Sequence, residues 1–465
     1  MKARPITQCI GRLYLPKALL AFITLYTFVA PISSAPPGRP TEPSDRSETT
    51  LLPLQIGPDF QSDDLQQSLQ VYVDPSGELQ FPAIRSASFQ NAGQAIWNEG
   101  LSNAHYWFRF GLNNLSGSFD PVYLELYYPL LDHVALYRAG PAEDYTVSRT
   151  GDMLPFDSRE MKHRNFVFQI HVPPGQTRFF YLEIHSKGVI QAPLRLQSVS
   201  EFLQSDRQAQ LWQGIYFGIM LGMLLYNLFL YASVRYTGYL FYVFYIAGLA
   251  LFQLIYHGYF YAMVLPSNPV LVNESVVFSI NFMLFWGILF SRTFLNTQKY
   301  DRLMDWPLRI LQWTAALSAL SSFVLPYTLA LNTSVASSVL FVFVIFFAAM
   351  RRLYHGYRPA RFFLFAWTTL LIAILVLSLK QYGWLPYTFI TNYSLQFGSA
   401  MEVLLLSVAL GDRIKDIELE KKKAQSYAYR SMQKAHLIKD EFLYHTSMEL
   451  REPIEGIVGM SEGLF

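Results

Sequence analysis

Apolar and polar positions change their period twice along the chain. From about Leu54 to Ser198 they alternate, as in Tyr106-Trp107-Phe108-Arg109-Phe110, Val122 to Tyr128, Phe166-Val167-Phe168-Gln169-Ile170 and Phe179 to Ile184. Period two is the pattern of a half-buried strand, and Asp74-Pro75-Ser76-Gly77, Asn113-Asn114 and Pro173-Pro174-Gly175 punctuate it as turns. About eight or nine strands at spacings of about ten residues predict an all-β sandwich. Beyond Trp212 the alternation stops and long apolar runs begin. Seven are legible: Leu211–Ala232, Leu240–Val264, Ser275–Leu295, Leu308–Tyr327, Leu329–Met350, Arg361–Gln381 and Tyr387–Leu410. Each holds the roughly 20 residues that a bilayer-spanning helix needs. After Gly411 a third pattern takes over, with Ile414, Ile417, Lys421, Ala424, Ala428, Ser431, Ala435, Ile438 and Phe442 spaced by threes and fours. That is a heptad seam with a weak centre of Lys, Ala and Ser.

The expected fold is therefore a multi-domain membrane protein. An exported all-β sandwich (54–205) precedes a seven-helix transmembrane bundle (211–410). A cytoplasmic coiled-coil helix (411–441) and a dimerisation segment (442–465) follow. Ahead of the sandwich, Lys2, Arg4, Arg12 and Lys17 form a basic region, Ala18 to Ala30 is apolar, and Ser33-Ser34-Ala35 offers small residues. Together they predict a signal peptide over 1–35. Residues 36–53, rich in Pro, Ser, Thr and Glu, predict a linker.

Composition sharpens this picture. Of 465 residues 52% are hydrophobic and only 15% charged, against about 25% charged in soluble chains. A net charge of +2 argues against a nucleic-acid footprint. The single cysteine, Cys9, excludes a disulfide framework, a thiolate metal site and a dithiol pair. Basic residues set the direction of the bundle. With the sandwich outside, the inner loops hold Arg235, Arg292, Lys299, Arg302, Arg309, Arg351, Arg352, Arg358 and Arg361, and the outer loops only Lys380. The expected placement is a bacterial inner membrane, sandwich in the periplasm and C-terminus in the cytoplasm.

Candidate chemistry is sparse. Residues 36–205 carry 12 Lys and Arg against 19 Asp and Glu, the composition of an acidic binding module with no evident nucleophile–base pair. Asp59 with Asp63 and Asp64, and Asp152 with Asp157 and Glu160, are oxygen-rich clusters of the kind calcium takes. Tyr106, Trp107, Tyr127 and Tyr128 offer rings for stacking on a saccharide, with Arg109 and Asp132 as polar contacts, although strand aromatics mostly serve the core. Inside the spans, Asn227, Gln253, His257, Asn281, Asn392, Gln396 and Glu402 are polar. Interhelical hydrogen bonding accounts for such residues. Too few are acidic for a pump, and no lysine lies deep in the seventh span to hold a retinal.

Two sets of residues carry a family resemblance. Lys439-Asp440-Glu441-Phe442-Leu443 and Glu449-Leu450-Arg451-Glu452-Pro453-Ile454 resemble the H-box of sensor histidine kinases. Met448 occupies the phosphoacceptor slot, after Ser447 and among Glu449, Arg451 and Pro453 of the box. Glu452 replaces the usual threonine, and His445 lies on the seam three residues before the slot. Tyr106 to Phe110, Tyr128-Pro129-Leu130-Leu131-Asp132, Gly151 to Phe156 and His163-Arg164-Asn165-Phe166 resemble the type-2 extracellular domain of the bacterial seven-transmembrane receptors with diverse intracellular signalling modules, of the LadS and RetS kind. Gly214 to Gly218, Leu225 to Leu228 and Gln396 to Ser407, closed by Asp412-Arg413-Ile414, resemble their membrane domain. The resemblance implies a jelly-roll sandwich that binds an external ligand, a dimer, and a kinase inside.

These 465 residues hold no ATP-binding domain, so ATP and magnesium are expected only with a further kinase domain. The chain is not expected to catalyse phosphoryl transfer by itself. Three readings stand open. The first is the input half of a two-component sensor kinase, and the second a receptor that acts by pairing with another kinase. The third is a membrane-anchored carbohydrate-binding module. The expected partners are a second copy or a sensor kinase, a saccharide or cation outside, and the lipid bilayer, with no nucleic acid.

Overall fold

The computed structural model describes residues 51–462 except 64, 66–67, 93–96, 141–143, 382–384 and 386–387. The signal peptide, most of the linker and Asp64 lie outside the described residues.

Among the described residues thirteen strands are present where eight or nine were expected, because several are only two or three residues long. They are β1 (Leu54–Ile56), β2 (Ser62–Asp63), β3 (Gln70–Asp74), β4 (Gln90–Asn91), β5 (Trp97–Leu101), β6 (His105–Asn114) and β7 (Val122–Leu126), then β8 (His133–Ala139), β9 (Tyr145–Thr150), β10 (Phe166–Ile170), β11 (Thr177–His185), β12 (Val189–Ala192) and β13 (Leu194–Ser198). A seven-stranded sheet runs β4-β3-β6-β11-β8-β9, with β1 parallel to β6, and a four-stranded sheet runs β10-β7-β13-β2. β12 and β5 make a separate pair. All four alternating segments of the sequence are strands here.

Alternation along β6 explains the layers. Tyr106, Phe108, Phe110 and Leu112 point into the core shared with Leu124, Leu126, Phe166, Phe168 and Leu196 of the other sheet. Trp107 points the opposite way, into a second core with Tyr137, Tyr181 and Phe81. The short helix Phe81–Arg85 supplies that cover, its Phe81 ring stacked 4.5 Å from Tyr137. The seven-stranded sheet is therefore buried on both faces, as two-sided apolar strands require.

Among the described residues seven long helices follow: α1 (Val199–Val234), α2 (Thr237–Tyr256), α3 (Pro269–Leu295), α4 (Arg302–Ser321), α5 (Tyr327–Tyr354), α6 (Ala360–Gln381) and α7 (Ser394–Glu462). Six are long and apolar enough to cross a membrane, and α4 falls short of that measure because Arg302, Asp305 and Arg309 crowd its first half. Those charges are mutually engaged: Asp305 accepts from Arg292 Nε at 2.9 Å and from Arg309 Nη2 at 3.0 Å.

Three boundaries differ from the sequence reading. α1 starts at Val199, directly after β13, with Ser198 Oγ accepting from Glu201 N at 3.3 Å as its cap. The second span stops at Tyr256, because Gly258 turns to φ +76° before a short helix, Tyr259–Met263. The seventh span is preceded by a separate turn, Phe389–Asn392, capped by Thr388.

Residues 406–462 continue α7. From Lys421 to Ile457 every side chain except Thr446 is exposed, including the seam residues Ala424, Ala428, Ile438 and Phe442. The expected coiled-coil and dimerisation segments thus form one uninterrupted helix, with Pro453 inside it.

Candidate functional site

The β-domain is fastened to the outer link between α2 and α3 by the chain that joins β9 to β10. Phe156 N donates to Pro266 O at 3.0 Å, Tyr261 Oη donates to Leu154 O, and Asn273 Nδ2 donates to Asp152 Oδ1 at 3.3 Å. Phe156, Tyr261 and Val272 make a small apolar core of their own. Arg159 lies 4.9 Å from the Phe156 ring and 4.4 Å from Phe166, and its Nη1 donates to the carbonyls of His163 and Arg164. At Gly258 a Cβ would sit 2.8 Å from Arg164 O and 2.9 Å from Pro129 Cβ, so only glycine allows this approach.

Asp132 and Asp152 form a buried carboxyl pair beside this junction. Asp132 accepts from Ser186 Oγ at 3.2 Å and Lys187 N at 2.9 Å. Burial, then the adjacent Asp132 carboxyl, pushes Asp152 up to about 8. Gly151 is again forced, since a Cβ there would clash with Asp132 O.

Next to the junction lies a cavity of about 50 Å³ between the β-domain and the outer helix ends. Tyr127, Tyr128 and Arg164 line it from the β-domain, and His257, Lys380, Asn392 and Tyr393 from the helix side. Among the described residues its lining holds two cations, Arg164 and Lys380, and no carboxylate. Arg164 is only 6% exposed. Its Nη2 donates to Tyr127 Oη at 3.4 Å, its plane lies 5.2 Å from the Tyr259 ring, and its Nε has no hydrogen-bond partner. A buried donor left in that state costs about 1–3 kcal/mol. Lys380 Nζ donates to Asn392 Oδ1 at 3.2 Å. The nearby acids act on Arg164 by charge while bonding to other partners: Glu125 Oε1 accepts from Asn165 Nδ2 at 2.7 Å, and Asp206 Oδ1 meets His163 Nε2 at 3.0 Å. Burial pushes Glu125 upward.

A ladder of polar contacts continues between the helices. Gln396 Nε2 donates to Gln213 Oε1 at 2.8 Å, and Tyr216 Oη meets Ser399 Oγ at 3.1 Å. One turn further, Tyr245 Oη donates to both oxygens of Glu402, at 2.7 and 3.0 Å, and Tyr242 Oη donates to Val403 O at 2.6 Å. Spacings of three and four on α7 put all these residues on one face. Asn227 donates within its own helix, to Met223 O at 2.8 Å, and Asn281 Nδ2 reaches Ser334 Oγ at 2.6 Å. Of the partners, Tyr216 and Ser399 entered the sequence reading only inside family-like motifs, and Tyr242 and Tyr245 not at all. The only signal for them was a tyrosine three residues after another polar or tyrosine position in a span.

The other predicted residues are placed apart. Tyr106 and Trp107 are 2% and 1% exposed, one in each core, which leaves no ring face for a sugar. Arg109 is spent on Gln70 Oε1 at 3.0 and 2.5 Å and on the Phe89 ring. Asp152 faces the junction, Asp157 pairs with Lys162 at the surface, and Glu160 accepts from Arg138 Nη2 at 2.7 Å. These three acids do not converge, and among the described residues no group of three His, Cys, Asp or Glu is arranged to hold a metal ion. Asp63 accepts from Leu65 N at 2.6 Å. Met448 is 57% exposed on α7, Arg451 pairs with Glu455 at 2.7 Å, and Glu449 and Pro453 are exposed beside it.

Two family models match this architecture. Residues 66–198 match the model described as 7TMR-DISM extracellular 2, and residues 209–413 match 7TM diverse intracellular signalling. No curated protein matches the chain. The first match covers β3 to β13 and the second the helices that line the cavity. The chain therefore carries the extracellular and membrane domains of the 7TMR-DISM receptors, and is a multi-pass transmembrane signalling receptor with its β-domain outside.

Proposed function

We propose that the protein is the input half of a two-component sensor kinase system in a bacterial inner membrane. It binds a small external ligand where the β-domain meets the helices. It passes the change to a dimeric helix in the cytoplasm. The observation that carries this reading is the direct passage from β13 into α1 at Ser198. With no linker to absorb motion, a displacement of the four-stranded sheet becomes a displacement of the first helix, and the Asp152–Asn273 and Leu154–Tyr261 contacts couple α3 and its outer link to the same domain. Bound states then differ in how α1, α2 and α7 share their polar contacts, which is the differential interaction a ligand needs to shift an equilibrium.

Met448 supports pairing with a kinase that supplies its own acceptor histidine, because a thioether offers no nitrogen nucleophile for phosphoryl transfer. The exposed seam of α7 suits a second copy or such a kinase.

Cysteine cross-linking in membranes tests the dimer. With Cys9→Ser the chain has no other cysteine. Ala424→Cys and Ala428→Cys on the seam are expected to form disulfide-linked dimers readily, and Ser426→Cys and Gln433→Cys on the opposite face far less. Equal yields on both faces, or no yield at the seam, overturn the dimeric reading.

A further inference from the structure

The cavity beside Arg164 has the chemistry to name its ligand class. We propose that it binds a small organic carboxylate between the β-domain and the outer helix ends, with Arg164 and Lys380 as its cationic contacts. This deepens the receptor reading above and rests on it.

Charge is the first argument. Arg164 and Lys380 enter from the two sides of the junction, and among the described residues no carboxylate lines the cavity itself; the charges of Glu125 and Asp206 reach Arg164 from behind that lining. Geometry is the second. Arg164 is 6% exposed and its Nε has no partner, so one buried donor of the guanidinium is unsatisfied. Buried donors are nearly always paired in a finished site. Tyr127 and the Tyr259 ring hold the guanidinium in place, so it meets an anion without reorganising.

Size is the third argument. A volume of about 50 Å³ holds about four water-sized occupants at roughly 10–15 Å³ each. That is the bulk of acetate. A carboxylate has two oxygens and about four lone-pair sites, within reach of what Arg164 Nε, Lys380 and the tyrosine and asparagine groups supply. A doubly charged tetrahedral oxyanion asks for more donors in the same space. Occupation would also tie the β-domain to α6 through Lys380, drawing the two sides of the junction together.

The test uses the full chain in lipid nanodiscs, with thermal unfolding followed by tryptophan fluorescence at constant ionic strength. The probes are sodium acetate and propionate, with chloride as the baseline. Acetamide serves as a neutral shape match, and sulfate as a competing anion. Acetate or propionate is expected to raise the Tm in a dose-dependent way, and acetamide is not. Each variant is read against its own chloride Tm: Lys380→Gln is expected to lose affinity about tenfold or more, and Arg164→Gln to lose the shift altogether. If Arg164→Gln does not fold, the wild-type probe series and Lys380→Gln still decide.

No shift with either carboxylate overturns the proposal. So does an equal shift with acetamide, a shift with sulfate alone, or an undiminished shift in Lys380→Gln. Cross-linking along the α7 seam needs no ligand. A failed probe series with an intact seam pattern thus removes the ligand class and leaves the receptor reading standing.

Discussion

Asp152 shows how one side chain ties stability to pH. Its folded pKa, near 8, lies above the ordinary carboxyl value of 3.8. The folded state therefore holds the proton more tightly than the unfolded chain. The contribution is full below 3.8 and is lost as pH rises through about 8. Asp152→Asn keeps a side-chain amide beside Asn273 and cannot ionise. Its stability relative to the wild type is expected to climb from acid toward pH 8, by at most about 1.4 kcal/mol per pH unit, as read by denaturation of the full chain. A difference that stays flat with pH would show that Asp152 is ionised when folded. Met448 is a second single-residue question. Supplied with an active kinase domain in trans and labelled ATP, the unmodified chain is expected to stay unlabelled and Met448→His to gain acid-labile label. The Glu452 carboxylate in the adjacent box position opposes that rescue by repelling phosphate. Label on the unmodified chain that His445→Ala abolishes would make His445 the acceptor. Neither Asp152 as a junction residue nor the orphan Nε of Arg164 was legible in sequence, because both depend on neighbours more than ninety positions distant.

Among the elements, strands were easier to read than spans. The alternation in β6, β7, β10 and β11 is a local consequence of the pleat, so residues 106–110 and 166–170 announced themselves. What covers each face is not local. Trp107 is a core residue because the helix Phe81–Arg85 lies over it, and no pattern within β6 states that. The spans were legible as apolar runs, but their ends were not: Gly258 breaks the second and Phe389–Asn392 precedes the seventh, in both cases at the outer surface where the β-domain packs or a cap forms. Strand ends also create a cluster that no motif announces. His105, His185 and His133 stack with centroid spacings of 4.3 and 5.9 Å. Burial, then the two neighbouring imidazoles, holds His185 below the ordinary value of 6.5. The unfolded chain binds that proton more readily, so the stability His185 contributes is present above 6.5 and lost as pH falls through its folded value. His185→Gln is accordingly expected to gain stability relative to the wild type on acidification from about pH 7 to about pH 5. An unchanged difference across that range would remove the stack as a source of acid sensitivity.

At the scale of the molecule, the structure gathers on one side the β-domain and the helix ends whose loops are poor in basic residues. The count of nine basic residues against one came from the loops alone. The β-domain packs on the α2–α3 link, and the cavity gathers the ends of α2 and α6 with the turn before α7 on that same side. An export-dependent reporter is therefore expected to be active when fused after Leu265 and inactive after Gly356, and the reverse pattern would overturn the orientation. The sequence by itself determined the succession of strand, span and heptad patterns, the uneven spread of basic residues among the loops and the methionine at position 448. Each of these is written in the order, spacing or identity of nearby residues, where strand and helix periods and membrane partitioning act. Only the tertiary structure decided that Tyr106 and Trp107 belong to cores, that Asp152, Asp157 and Glu160 have separate partners, that Glu402 meets Tyr245, and that Arg164 and Lys380 face one cavity. Those outcomes depend on which segments are brought face to face, and local periodicity carries no record of the opposing face.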